Sequence, residues 1–238
     1  MDVAYLFDGW AEPMILSCLQ GHMGTLAVDD PEGPRAAAVT VGDFCFLAGA
    51  PSRALAARAS AAILVPRTAD WHPVIEAVWG QHVRPYTRYA TRKDTNRFDR
   101  AELSALARPP QGVTLSPIDP AAYSLLGQAD WSRDLRGLFR DGADFCRRGI
   151  GIAAWRDREI VAGASSYAIF DGGIEIEIDT HPDFRRIGLA TACGAALVLA
   201  CLERGLSPSW DAHTLVSLHL AEKLGYVSAG PYPVYLKV

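Results

Sequence analysis

The sequence has no run of roughly 20 uninterrupted apolar residues, so no membrane-spanning helix is expected. Its opening stretch, Met1 to Trp10, carries Asp2 and Asp8 but no basic cluster, which speaks against a secretory leader. Cysteine is scarce. Cys18, Cys45, Cys146, Cys193 and Cys201 are odd in number and form no CxxC pair, which argues against a disulfide framework or a zinc site. They read as small buried apolar residues, and a reduced cytoplasm is the expected compartment. There is no excess of positive charge: the formal net charge is -4, and neither side of Gln111 carries a basic surplus. A nucleic-acid or anionic-membrane partner is therefore not called for. His72, His82, His181, His213 and His219 lack ligand spacing, so no shared metal is expected. There is no short repeat, and no low-complexity segment beyond general alanine richness.

What is present is ordinary globular material. The chain has 238 residues, half of them hydrophobic and 21% charged, enough to bury one or two cores. The strongest punctuation is Arg108-Pro109-Pro110-Gln111-Gly112, after a helix-like run from Asp99 to Ala107 with Asp99 as N-cap. A boundary there divides the chain into residues 1–108 and 112–238. In the first part Thr25 to Val28, Ala36 to Val41, Phe44 to Ala48, Ala62 to Val65 and Tyr86 to Thr91 read as strands, with helices at Ser52 to Ala59 and Pro73 to Trp79. In the second, Val113 to Ser116, Ile150 to Trp155, Glu159 to Phe170 and Tyr232 to Val238 read as strands, and a further strand begins at Ser209 to Asp211. Helices are expected at Pro120 to Leu126, Asp130 to Leu138, Leu189 to Arg204 and Thr214 to Leu224, the last two stopped by Gly205 and Gly225.

The chemistry concentrates between Ile174 and Leu202. Ile174 to Thr180 alternates strictly, with three isoleucines on one face and Glu175, Glu177 and Asp179 on the other. A loop follows, then Arg185-Arg186-Ile187-Gly188-Leu189-Ala190, where the long helix begins. A helix start has unpaired N–H groups and the positive end of the dipole. Gly188 leaves room for a phosphate to approach them, Ala190 is nearly as small, and Arg185 and Arg186 add charge at the same point. The segment reads as a cradle for a pyrophosphate. Arg147-Arg148 is a second basic pair that an anion could use. The six tryptophans, Trp131 and Trp210 among them, read as core or cleft lining.

At this point the chain resembles the GNAT acetyltransferase superfamily, whose signature is Gln/Arg-x-x-Gly-x-Gly/Ala between a central strand and a helix. Here it is Arg185-x-x-Gly188-x-Ala190. The strand at Trp210-Asp211 follows in order, as does the helix around Ser217-x-x-Leu220-Ala221-Glu222-Lys223-Leu224-Gly225-Tyr226. The resemblance covers Val113 to Val238. It is closer still to the zwittermicin A resistance-type group, through Asp144-Phe145-x-x-Arg148-Gly149-x-Gly151, Ala164-Ser165-Ser166, Ile176-x-Ile178-x-Thr180 and Pro208-x-Trp210-Asp211.

The resemblance implies an α/β (α+β) GNAT fold: a mixed, mostly antiparallel sheet flanked by helices, preceded by a smaller α/β domain whose element order permits a degenerate GNAT-like unit. It implies an enzyme, an N-acetyltransferase, that takes acetyl-CoA and a small-molecule, antibiotic-like amine as partners; a homodimer is compatible with it. Acyl-CoA binding without turnover, a peptide or protein N-acyltransferase and a cofactor-free interaction module are the alternatives. Carried over by position, Arg185, Arg186, Ile187, Gly188, Leu189, Ala190 and Thr191 hold the pyrophosphate. Ile178, Asp179 and Thr180 pair with the pantetheine amides as an added strand would, and Thr214 and Ser217 meet the pantetheine arm or the thiolate.

Acyl transfer to an amine needs a base, a donor for the developing oxyanion and alignment of the reactants. Glu177, central in its strand, is the first candidate base, with Glu175 and Asp179 beside it; the alternative is that all three merely solvate one sheet face. A strand N–H near Ile178 is the candidate oxyanion donor. Many relatives place a tyrosine acid where this chain has Ala221, so Ser217 or a water is left to protonate the thiolate, and Tyr226 reads as a packing residue.

Overall fold

The computed structural model describes residues 3–94 and 98–238. Asp2, cited above against a leader, lies outside them. Two compact units divide the chain: Met1–Arg88 with Pro231–Val238, and Tyr89–Gly230. The division differs from the boundary expected at residues 108–112. The Pro109-Pro110 break does end a helix, but the chain on both sides of it stays in the second unit.

In the first unit α1 (Pro13–Leu19) starts on a proline, whose missing N–H costs nothing at a helix start. Three strands follow, β1 (Thr25–Val28), β2 (Ala36–Val41) and β3 (Phe44–Gly49), each antiparallel to the one before. Then come α2 (Arg53–Arg58), β4 (Ile63–Pro66) parallel to β3, α3 (Trp71–Trp79) and β5 (Val83–Thr91). Leu47, Leu55, Leu64, Trp71, Ile75 and Tyr235 fill the core. The Trp71 indole N–H donates to Gly49 O (3.1 Å), so its polar atom is satisfied inside.

The second unit runs through α4 (Arg100–Leu106), β6 (Thr114–Pro117), α5 (Pro120–Leu126), α6 (Gly142–Arg148), β7 (Gly151–Arg156), β8 (Glu159–Phe170), β9 (Gly173–Thr180) and α7 (Leu189–Glu203). β10 (Ser207–Ser209), β11 (Asp211–Ala212), α8 (Leu215–Lys223) and β12 (Ser228–Lys237) complete it, the last residues of β12 belonging to the first unit. The main sheet has the order β10-β9-β8-β7-β6, antiparallel except for the β9–β10 pair. α4 lies against α7, with Arg100 donating to Leu202 O (3.1 Å). Asp99 caps α4 as expected, accepting from Ala101 N–H and Glu102 N–H (2.8 and 3.1 Å).

Both units thus repeat one order: an antiparallel hairpin, a helix, a parallel strand, a helix, a strand. β12 pairs with β4 in the first unit, Tyr235 opposite Leu64. The end of β5 pairs with β11 in the second, Ala90 opposite Asp211.

Three expectations are corrected. Asp130 to Leu138 is not one helix but two single 3₁₀ turns, Asp130–Ser132 and Asp134–Arg136, and Gly137 at φ 57° ends the second before Leu138 is reached. The strand expected at Ser209 to Asp211 is two strands, β10 and β11, which Trp210 separates. α1 and α6 were not expected; each is a short helix with a clear start, Pro13 in one and the Asp141 cap in the other. No helix among the described residues is long and apolar enough to cross a membrane.

Candidate active site

The site begins where two strands part. β9 and β10 pair in parallel only over Gly173 to Glu175 with Ser207 to Ser209. Beyond that point β9 continues to Thr180 along β8, while the other chain leaves through Trp210 to join β5. In a parallel ladder the donors step by two residues. Ser207 N–H donates to Gly172 O (2.8 Å), so Ser209 serves Ile174 O, and Asp211 is next in line for Ile176 O. Asp211 N–H instead donates to the Glu175 side chain (2.8 Å). Beyond the paired residues, the even-numbered residues of β9 therefore turn their backbone groups to an edge that carries no strand among the described residues. Two contacts agree: Ile178 N–H reaches the Glu177 carboxylate (3.2 Å), and Thr180 O accepts from Arg185 Nε (3.3 Å).

The loop after β9 delivers the chain to α7. Gly188 is the N-cap, with φ 90° and ψ 4°, and no side chain caps the helix. The first intrahelical bond is Ala192 N–H to Gly188 O (3.0 Å), so the N–H groups of Leu189, Ala190 and Thr191 are left for an outside acceptor. A Cβ built on Gly188 would meet no atom within 4 Å. Arg186 is also left-handed, at φ 65°, and Arg185 to Gly188 are all exposed. An uncapped fifteen-residue helix, an open approach over Gly188 and two arginines fit a pyrophosphate. Further in, Gly194 lets α7 sit close to β9: a Cβ there would come within 2.9 Å of the Ile178 side chain and 2.7 Å of Leu224.

The carboxylates of β9 do not form a solvated face. Glu175 is 4% exposed, and Glu177 and Asp179 are half-buried. Glu177 lies opposite Ser165 and Asp179 opposite Gly163 on β8, and the turn around Leu135 covers this face. The Ser165 hydroxyl donates to Leu135 O (2.7 Å), and the Leu135 side chain occupies the space over Gly163. Burial pushes Asp179 up to about 6; the Asp134 carboxylate on the covering turn adds to the rise and Arg185 opposes it. Burial also raises Glu175, with the Lys93 ammonium pulling it down and Asp211 reinforcing the rise.

The start of α8 is anchored to the same parting of strands. Thr214 caps the helix, its hydroxyl oxygen accepting from Ser217 N–H (3.2 Å). Ser217 Oγ accepts from the Trp210 indole (3.2 Å), and Trp210 O accepts from Thr91 Oγ1 (2.6 Å). Because Trp210 supplies the proton in that contact, the Ser217 hydroxyl keeps its own proton to give. Ala221 is fully buried. Tyr226 is buried too, its hydroxyl donating to Pro208 O (2.9 Å) and its ring edge-on to Phe98 and Trp210, so it packs as expected.

The structure brings Glu175 and Ser217 together around Trp210, and Glu177, Asp179 and Arg185 along one end of β9. It takes Arg147-Arg148 out of consideration as an anion site. Both guanidinium groups bind Asp144, Arg148 through two bonds (2.9 and 2.7 Å) and Arg147 through one (2.7 Å), and they hold that buried carboxyl well below the usual range. Sequence reasoning missed Asp134, Lys93 and the polar use of Trp210. The first is hidden by a helix that does not form, the others by pairing that no local pattern reports.

The family model for GNAT acetyltransferases matches residues 4–235. A GCN5-related N-acetyltransferase-like protein from Streptococcus suis 89/1591 is 46% identical, with a TM-score of 0.95 over 99% of this chain and 97% of that one. A GCN5-related N-acetyltransferase from Kribbella flavida shares the fold at 16% identity, with a TM-score of 0.60 over 94% and 93% of the two chains. An uncharacterized N-acetyltransferase, YdfB, of Bacillus subtilis (strain 168) is 26% identical over 166 residues. That match spans 66% of this chain and 62% of the relative's length.

Proposed function

The chain belongs to the GNAT acetyltransferase family and is an acyltransferase, and from that premise we propose that it transfers the acetyl group of acetyl-CoA to an amine of a small molecule. One observation carries the choice of co-substrate: past its pairing with β10, the edge of β9 carries no strand among the described residues and leads through the loop to the uncapped start of α7. Backbone groups of Ile176, Ile178 and Thr180 suit an extended amide chain laid along the edge, as in strand addition. The N–H groups of Leu189 to Thr191, with Arg185 and Arg186, suit the pyrophosphate beyond it. The first unit has a junction in the same position of its element order, but there Ser52 caps α2 itself, accepting from Leu55 N–H (3.3 Å). We therefore assign the transfer to the part of the chain from residue 112 onward, and read the first as a GNAT-like unit without the cradle.

Acetyl-CoA supplies an activated thioester. The protein supplies the rest. An alkylammonium near neutral pH must lose a proton before it attacks. Asp179, already raised to about 6, is matched to that task, with Glu177 beside it. Asp134 and Asp179 also give the acceptor side a negative potential suited to a cationic amine. Ile178 N–H is the donor we assign to the developing oxyanion, so Glu177 must yield it as the thioester arrives. Ser217, whose oxygen accepts from Trp210 and so leaves its own proton to give, is the acid we assign to the departing thiolate. Five free cysteines suit a reducing compartment, and we place the reaction in the cytoplasm.

The test is calorimetric titration of the purified protein with acetyl-CoA, then a screen of amines with release of free thiol as readout. Micromolar binding followed by turnover with any amine supports the reading. A folded protein that does not bind acetyl-CoA refutes it.

A further inference from the structure

Glu175 was a candidate base by its place in the strand, but its surroundings give it a different task. It is 4% exposed, at the last paired position of the β9–β10 ladder, and its Oε1 accepts Asp211 N–H at 2.8 Å. That N–H is the donor which the stepping of the ladder assigns to Ile176 O. Around it the departing chain is held from its other side, with Thr91 Oγ1 donating to Trp210 O (2.6 Å) and Lys93 Nζ to Ser209 Oγ (2.7 Å). A base in the reaction would need a path for its proton, and Glu175 is buried, with its Oε1 engaged by a backbone N–H.

We infer that Glu175 is a positioning residue: its carboxyl takes the N–H that would otherwise close onto Ile176 O, ends the ladder one step early, and so keeps the edge of β9 open for the pantetheine arm. The inference rests on the acetyl-CoA reading for its ligand, but the interception of the Asp211 N–H stands on its own. Either protonation state of the carboxyl accepts that N–H. An amide oxygen of the same reach does so too, which separates this role from proton transfer. Without an acceptor at this position, Ile176 O is the acceptor that the stepping of the ladder leaves to the Asp211 N–H, and pairing there closes the edge.

Two substitutions and two readouts test this. Glu175→Gln keeps an acceptor, and Glu175→Met keeps the volume without one. Calorimetry gives the Kd for acetyl-CoA, and NMR hydrogen exchange gives the protection of the Asp211 and Ile178 amides. Glu175→Gln is expected to bind within about threefold of wild type. Glu175→Met, if folded by circular dichroism, is expected to bind at least about tenfold more weakly, with altered exchange at Asp211. Wild-type affinity in folded Glu175→Met overturns the inference, since a base or a merely stabilising residue leaves binding intact. If Glu175→Met does not fold, Glu175→Gln decides: binding weakened by more than about tenfold overturns the inference, and near-wild-type binding with the Asp211 amide still protected supports it. Should wild type itself not bind acetyl-CoA, the functional reading fails, and the exchange data alone decide the ladder claim.

Discussion

Gly188 offers the sharpest test of the cradle because two effects of one substitution have opposite signs. At φ 90° an L-residue is strained, at a cost of roughly 1–2 kcal/mol to the fold. No atom lies within 4 Å of a Cβ there, so Gly188→Ala carries that strain and no clash. In a protein of this size it lowers Tm by about 2–8 °C. Gly188→Glu carries the same strain but sets a negative charge at the start of α7, which returns about 0.3–1 kcal/mol. Glutamate is thus expected to be slightly the more stable of the two. Binding runs the other way. Each unit of negative charge at about 4 Å costs about 1 kcal/mol in water, more once water is excluded, so two charges of a pyrophosphate cost at least about 2. The backbone strain is carried by the free and the bound protein alike and drops out of Kd, so the charge alone sets a loss of about 2–4 kcal/mol, or about 30- to 1000-fold in Kd. Thermal melting and calorimetry with acetyl-CoA measure both. Gly188→Glu that melts like Gly188→Ala or above, yet binds within threefold of wild type, would falsify the cradle. Equal losses in the two variants would instead make a rearranged loop, not charge, the cause.

Asp179 predicts a pH profile. Raised from 3.8 to about 6, it is ionised only above that pH, so kcat/KM should climb through pH 6 and Asp179→Asn should remove the step. The linkage has the matching sign. Between 3.8 and about 6 the folded state holds the extra proton, so wild-type stability declines as pH rises through that window, and Asp179→Asn should melt higher than wild type at pH 7. Ser217→Ala should lower kcat with little change in the Kd for acetyl-CoA, and should cost about 1–3 kcal/mol because the Trp210 N–H loses its acceptor; an unaltered kcat at saturating substrate excludes it as the acid. Asp144→Asn should lower Tm at pH 7 without touching acetyl-CoA affinity. Because the carboxyl of Asp144 is held down by its arginines, that stability is complete above the ordinary carboxylate range and is lost as pH falls below it, so the deficit should shrink in acid.

Much of the scaffold was legible in the chain. The alternation of Ile174 to Thr180 placed β9 within one residue, and the Gly205 and Gly225 stops placed the ends of α7 and α8. These are signals of short range: a period of two, a glycine after an apolar run. Arg185-x-x-Gly188 located the helix start for the same reason, since an uncapped N-terminus is a local property. The α6 helix was also locally written, in Asp141 and in the Asp144 to Arg148 spacing, and was overlooked. What the chain could not display is partner choice. β10 and β11 look like one strand because nothing within Ser209 to Asp211 says that two different strands will claim its ends. The elevated Asp179 carboxyl depends on Asp134, and the role of Glu175 depends on Asp211; both arise only when distant segments meet.

The exchange of final strands has a consequence for how the protein comes into being. The first unit lacks part of its sheet until Tyr235 reaches Leu64, and the whole second unit lies between them in sequence. During synthesis the earlier segment must wait, incompletely paired, while the later one can already collapse around its own hairpins. Such distant pairing is slow, and an unfinished β4 edge is exposed to other chains meanwhile. Loss of residues 231–238 would then injure the fold of the part made first and leave the cradle, made later, formed. Aggregation of a shortened chain on the ribosome, suppressed by supplying the missing strand as a peptide, is the behaviour this arrangement implies.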